Sequence, residues 1–166
     1  MKYNPDIHHR RSIRLKRYDY SSNGAYFITV CTQNRVCLLG GIEQGEMILN
    51  DAGKMVQNIW DEIPEYYDCI EIDTFQIMPN HIHGIIVIFQ TKLSLPDVVH
   101  RFKTLTTKKY IDGVKQYHWQ PFDKKLWQRN YYEHIIRDEQ SLHKIQEYIM
   151  NNPRDWERDE LFTQRT

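Results

Sequence analysis

The sequence predicts an α+β fold: a ferredoxin-like two-layer sandwich, with a central antiparallel sheet and helices on one face. Three observations carry this. Strand-like and helix-like segments follow one another in the order β-(ββ)-α-β-β-α-β-α. Two of the strand segments, 69–78 and 81–89, are separated only by Pro79-Asn80, so they reverse tightly and pair antiparallel. Each helical segment carries one apolar stripe, which suits a helix lying on a sheet.

Residues 1–20 show no apolar period and end at "SSNG", a turn signal. "AYFITVCT" (25–32) is β-branched and aromatic, and so reads as a strand. "VCLLGGIEQGEMILN" (36–50) reads as a short hairpin with Gly45 in the turn. A helix follows, capped by Asn50 or Asp51, with Ala52, Met55, Val56, Ile59, Trp60 and Ile63 on one stripe; Pro64 stops it. After the strand pair, Ser94 and Pro96 open a second helix to about Tyr110, with Val98, Val99, Phe102 and Leu105 on its apolar face. "YYEHIIR" (131–137) is the last strand. Asp138 caps a third helix, with Leu142, Ile145 and Ile149 on one face, and Pro153 ends it.

A chain of 166 residues has room for a single domain, 1–166, with 1–20 as a basic N-terminal arm. No apolar run is long enough to span a bilayer. The N-terminal stretch has no signal-peptide pattern, so the expectation is a soluble, cytoplasmic protein. Cys31, Cys37 and Cys69 have no paired spacing, which argues against a disulfide framework and against a cysteine zinc site. Net charge is zero, but the charges are segregated. The arm carries Lys2, Arg10, Arg11, Arg14, Lys16 and Arg17 against Asp6. Residues 43–73 are acidic. Residues 92–129 are basic again, with Arg101, Lys103, Lys108 and Arg129 among them. Such a chain can bind a polyanion on one face, although charge alone reads better as ordinary solvated surface.

"MPNHIHGIIVI" (78–88) places two histidines at the head of the most apolar strand. Residues i and i+2 of a strand share a face, so His81 and His83 project side by side, about 6–7 Å apart along the backbone. Two imidazole nitrogens so placed can share one metal ion. The alternative is a pair of structural histidines bonded to backbone. A metal would need another ligand. Glu71 or Asp73 on the adjacent strand is one source, and a distant helix is another. In "EYIMNNP" (147–153), Tyr148 and Asn152 are i, i+4 and point the same way. Taken alone, they read as a boundary residue and a helix cap.

Together these segments resemble the HUH endonucleases. Most similar are the single-tyrosine insertion-sequence transposases and, within them, the REP-associated tyrosine transposases. The resemblance runs through "RYDYSSNGAYFITVCTQNR" (17–35), "MPNHIHGI" (78–85), "FKTLTTK" (102–108), "LWQRNYYEHIIRDE" (126–139) and "YIMNNPRDW" (148–156). It implies that His81, His83 and Asn152 hold a divalent metal, Mg²⁺ or Mn²⁺, and that Tyr148, on the C-terminal helix, is the nucleophile. The broader family commonly has Gln where this chain has Asn152, one methylene shorter; Asn fits the REP-associated branch. Tyr131 and Tyr132 are rival nucleophiles by residue type.

The implied activity is a metal-dependent single-stranded DNA endonuclease and strand transferase, a transposase, forming a 5′-phosphotyrosine and recognising a DNA hairpin. A monomer or homodimer acting without a membrane is expected. Arg10, Arg11, Arg14, Arg17, Arg101, Lys103, Lys108 and Arg129 are the candidate DNA contacts. Two other classes fit the same residues. One is a non-catalytic single-stranded nucleic-acid-binding module. The other is a metal-dependent hydrolase using His81, His83 and a carboxylate, with water as nucleophile.

Overall fold

The computed structural model describes residues 24–89 and 92–164. The elements are β1 (Gly24–Cys31), β2 (Gly40–Glu43), β3 (Glu46–Leu49), α1 (Asp51–Asp61), α2 (Ile63–Tyr66), β4 (Ile70–Met78), β5 (His81–Ile88), α3 (Leu95–Tyr117), β6 (Tyr132–Ile136) and α4 (Glu139–Asn151). Their order is the predicted one apart from α2: the first helix ends at Asp61, and Pro64, expected to stop it after Ile63, lies in the first turn of this added single-turn helix, where its missing N–H costs nothing. Strands β4, β5, β1 and β6 form one antiparallel sheet in that spatial order, and β2–β3 is a separate hairpin. Gln44 and Gly45 both have positive φ at its tip, as a two-residue hairpin turn demands.

The caps are those the sequence indicates. Asn50 accepts a hydrogen bond from Gly53 N (2.8 Å) at the start of α1. Ser94 and Asp97 form a reciprocal capping box on α3. Asp138 accepts from Ser141 N (2.7 Å) on α4. Helix α3 runs two turns beyond the expected end at Tyr110. The extension is rewarded by packing: Trp119 folds back so closely on Gly113 that a Cβ there would lie 2.2 Å from the indole. The helix stops at His118, which is left-handed at φ +56°.

All of β5 is buried. A strand covered on one side would alternate, and the near-continuous apolar run 82–88 reflects cover on both sides. On one face Ile28, Val30, Ile82 and Ile86 meet α1 and α3 through Val56, Trp60, Val98 and Phe102. On the other, Ala25, Phe27, Ile85, Val87 and Ile136 meet α4 through Leu142 and Ile149. The predicted sheet-and-helix sandwich is thus formed by α1 and α3, and α4 adds a cover on the opposite side. The register pairs Cys31 with His81 and Thr29 with His83, so the histidines belong to the α4 side. No helix among the described residues is long and apolar enough to cross a membrane.

Candidate active site

Strand β5 presents His81 and His83 toward α4 with only 0% and 2% of their surface exposed. Their Nε2 atoms face each other at 3.0 Å. The outer nitrogens are engaged. His81 Nδ1 meets Asn80 Oδ1 at 2.8 Å, and His83 Nδ1 meets Thr29 Oγ1 at 2.8 Å. Burial pushes both imidazoles down to about 3 from the usual 6.5; for His81 the Arg35 charge adds to this, and for His83 its neighbour His81 does. Both rings are therefore neutral at pH 7, the form that binds metals.

Helix α4 brings Asn152 and Tyr148 over this pair. Asn152 is 3% exposed; its Nδ2 donates to Asp159 Oδ2 (2.8 Å), while its buried Oδ1 has no well-formed hydrogen bond among the described residues, although the amide lies close enough to His81 to favour that ring's charged form. The Tyr148 ring lies 5.3 Å from the His83 ring and edge-on to Phe27 at 6.1 Å. It is 49% exposed and opens onto a cleft of about 880 Å³ that Thr29, His83, Asn130, Tyr132 and Arg158 help to line. Burial raises the Tyr148 phenol pKa, the Asp159 and Glu160 charges push the same way, and the Asn152 amide opposes them.

The acidic member of the cluster is Asp159, beyond α4. Its carboxylate lies 3.9 Å from His81 Nε2, and its side chain is 4% exposed. His81, His83 and Asp159 form a cluster able to hold a metal ion. The donor set fits a divalent cation. Two Nε2 atoms converge, a carboxylate adjoins them, and the buried Asn152 Oδ1 is an oxygen donor with no hydrogen-bond partner among the described residues. The outer hydrogen bonds to Nδ1 are the usual way ligating imidazoles are aimed.

Other candidates are placed elsewhere. Asp73 sits at a bulge in β4, where its Oδ1 accepts from Thr74 and from Gln146 Nε2 (2.8 Å). Glu71 pairs with Val87, near the opposite end of β5 from the histidines. Tyr131 packs against the Lys103 amine, and its pKa is pushed to about 12 by burial and by Glu133. Tyr132 is exposed on the cleft, edge-on to Phe27. Arg101 belongs to the α3 layer, its guanidinium stacked 4.2 Å over Tyr66. Lys103 Nζ donates to the carbonyls of Gln128 (2.9 Å) and Arg129 (3.1 Å). Lys108 and Arg129 are exposed. Arg10, Arg11, Arg14 and Arg17 lie outside the described residues.

The sequence reading missed Asp159, Asn80 and Thr29 as members of the site. Asp159 has no periodic relation to the motif residues. Thr29 is one residue of an unremarkable strand. Asn80 was visible beside the histidines but read as a turn former.

A profile of the family described as "Transposase IS200 like" matches residues 21–152. The chain belongs to the IS200-like transposase family. This transposase is 46% identical to a Haemophilus influenzae protein named only "Uncharacterized protein", over 97% of each chain. It is 26% identical to the same organism's "Putative REP-associated tyrosine transposase", over 82% of this chain and 74% of that one. Two solved structures share the fold. One is a REP-associated tyrosine transposase bound to a REP hairpin (TM-score 0.57, 21% identity, 78% of this chain and 66% of that chain). The other is a "putative transposase" from Deinococcus radiodurans (TM-score 0.52, 20% identity, 78% and 90%). The family match ends at Asn152, so Asp159 lies beyond the matched residues of this IS200-like transposase.

Proposed function

We propose that this transposase is a metal-dependent single-stranded DNA endonuclease and strand transferase that works through a 5′-phosphotyrosine at Tyr148 and recognises a DNA hairpin. The observation that carries the reading is the position of Tyr148. Its ring touches His83, it stands one helical turn from the buried Asn152 amide, and it borders a cleft large enough for a nucleotide. His81, His83, Asn152 and Asp159 would hold Mg²⁺ or Mn²⁺. When bound there, such an ion stabilises a phenolate and polarises a phosphate oxygen.

The chain's own residues do the rest. Phe27 and His83 hold the Tyr148 ring from two sides, leaving its exposed edge toward the cleft. The phenol gives up its proton and Oη attacks phosphorus. The Oη–P bond forms and the P–O3′ bond breaks, leaving a protonated 3′-OH and a 5′-phosphotyrosine. Attack of a 3′-OH on that linkage returns the tyrosine and joins the strand, so no outside energy is needed. The half-buried Tyr148 must reach a phosphate whose flanking nucleotides can enter the cleft, which suits flexible single-stranded DNA beside a hairpin. Exposed Lys108 and Arg129, with Arg10, Arg11, Arg14 and Arg17 of the arm, are the proposed backbone contacts, together with Arg101 and Lys103, which also have partners within the chain.

A water-using hydrolase is the second reading, favoured by the His81, His83 and Asp159 set. The two separate on a denaturing gel after incubation with hairpin oligonucleotides and Mn²⁺. A covalent adduct that disappears in Tyr148→Phe, but persists in Tyr131→Phe and Tyr132→Phe, is the expected result. Cleavage without an adduct would favour the hydrolase. Binding with neither would leave a nucleic-acid-binding module.

A further inference from the structure

Asn80 is fully buried in the turn between β4 and β5, and its carboxamide is used at both ends. Nδ2 faces the carbonyl of Arg35 (3.1 Å), the carbonyl of Leu161 (2.8 Å) and Thr163 Oγ1 (3.1 Å). Carbonyls only accept, so this end must be the NH₂ group. The other end is then the amide oxygen, 2.8 Å from His81 Nδ1. An amide oxygen also only accepts, so His81 carries its proton on Nδ1 and its lone pair on Nε2.

The same carboxamide reaches Asp159 by a second route. Leu161, whose carbonyl Asn80 holds, donates its N–H to Asp159 Oδ1 (2.7 Å). The other carboxylate oxygen of Asp159 comes back to His81 Nε2 at 3.9 Å and accepts from Asn152. A ring of contacts therefore runs His81–Asn80–Leu161–Asp159–His81. Thr29 offers no such constraint to His83, because a hydroxyl can donate or accept.

We propose that Asn80 is a positioning residue that sets the ligand tautomer of His81 with one end of its amide and docks the Asp159 segment with the other, so that metal loading and docking of residues 159–163 are linked. This rests on the metal-site half of the proposed function and not on Tyr148 chemistry. Linkage makes the effect reciprocal: a cation that strengthens docking is itself held more tightly by a docked segment.

The test uses the full chain and Mn²⁺ or Mg²⁺ alone, without DNA. In the metal-free protein, ¹⁵N NMR of the imidazoles should show His81 protonated on Nδ1. Adding Mg²⁺ should slow amide exchange at Leu161. Asn80→Asp keeps an acceptor toward His81 but turns a second oxygen against the Leu161 and Arg35 carbonyls. It should keep the Nδ1–H tautomer and lose Leu161 protection. Asn80→Ala should lose both and weaken Mn²⁺ binding by about 10–100-fold. His81 protonated on Nε2 in the native chain would overturn the proposal. So would Leu161 exchange indifferent to Mg²⁺, or Asn80→Ala binding Mn²⁺ as the native chain does. These readouts need no cleavage, so a failure of the tyrosine chemistry would not be mistaken for a failure here.

Discussion

The Nε2 atoms of His81 and His83 face one another at 3.0 Å, while their outer nitrogens are held by partners of different kinds, an amide oxygen and a hydroxyl. Without a cation, one ring must donate to the other. Asn80 leaves His81 with a lone pair inward, so His83 is the donor, and Thr29 then donates to His83 Nδ1. To offer its Nε2 lone pair to a cation, His83 would have to take the opposite tautomer, with Thr29 as the acceptor from Nδ1–H.

Thr29→Val removes that hydroxyl at nearly constant volume. Mn²⁺ affinity, read by calorimetry or electron paramagnetic resonance, should fall by about 10–100-fold, while Thr29→Ser should stay close to the native value. Equal affinities in the valine and serine variants would mean that the hydroxyl plays no part in orienting His83.

Acid should destabilise the metal-free fold through the same two rings. Their folded pKa values are depressed to about 3, whereas the unfolded chain titrates near 6.5. Between these limits the unfolded state binds protons that the folded state refuses. Stability from this source is complete above pH 6.5 and is lost as pH falls toward 3. Urea denaturation across that window should be flatter for a His81→Gln/His83→Gln variant. Parallel curves would show that the rings are not held neutral in the folded chain.

Gly84 lies beneath Trp60, where a Cβ would come 2.4 Å from the indole and 3.1 Å from Phe75. The indole is 1% exposed and stacked on Phe75 at 4.2 Å, so it has little room to retreat. Gly84→Ala should lose about 1–3 kcal/mol in urea unfolding. Trp60→Phe removes the clashing atoms, so the double variant should lose less than the sum of the singles. Strict additivity would place the strain elsewhere.

Lys103 is tied to the carbonyls of Gln128 and Arg129, and burial lowers its pKa. Its expected role is to brace the cleft wall at 128–131 besides facing DNA. Lys103→Met should speed amide exchange in that wall and reduce the salt slope of single-stranded DNA binding by less than Arg129→Gln does, for which a reduction of about 0.7 is expected. Unchanged exchange in the wall would leave Lys103 a phosphate contact only.

The sequence by itself determined the order of the strands and of the three long helices, the caps Ser94 and Asp138, and the shared face of His81 and His83, while it left the first cap open between Asn50 and Asp51. Each follows from neighbours a few residues apart: a strand alternates by two, a helix repeats by three or four, and a cap side chain reaches only its own first turn. It also carried the family, because the spacing of the histidines and of Tyr148 with Asn152 is itself local. Only the tertiary structure decided that α4 covers the face opposite α1 and α3, which follows from the burial of β5 on both sides. It likewise decided that Asp159 joins the histidines, since its segment is delivered by hydrogen bonds to Asn80 and Arg35, far away along the chain. The surroundings of Arg101 and Lys103 were likewise set by the fold. Whether a long cationic side chain meets solvent, an aromatic face or a carbonyl depends on what the fold brings opposite it, and here that is Tyr66 for one and the 128–129 backbone for the other.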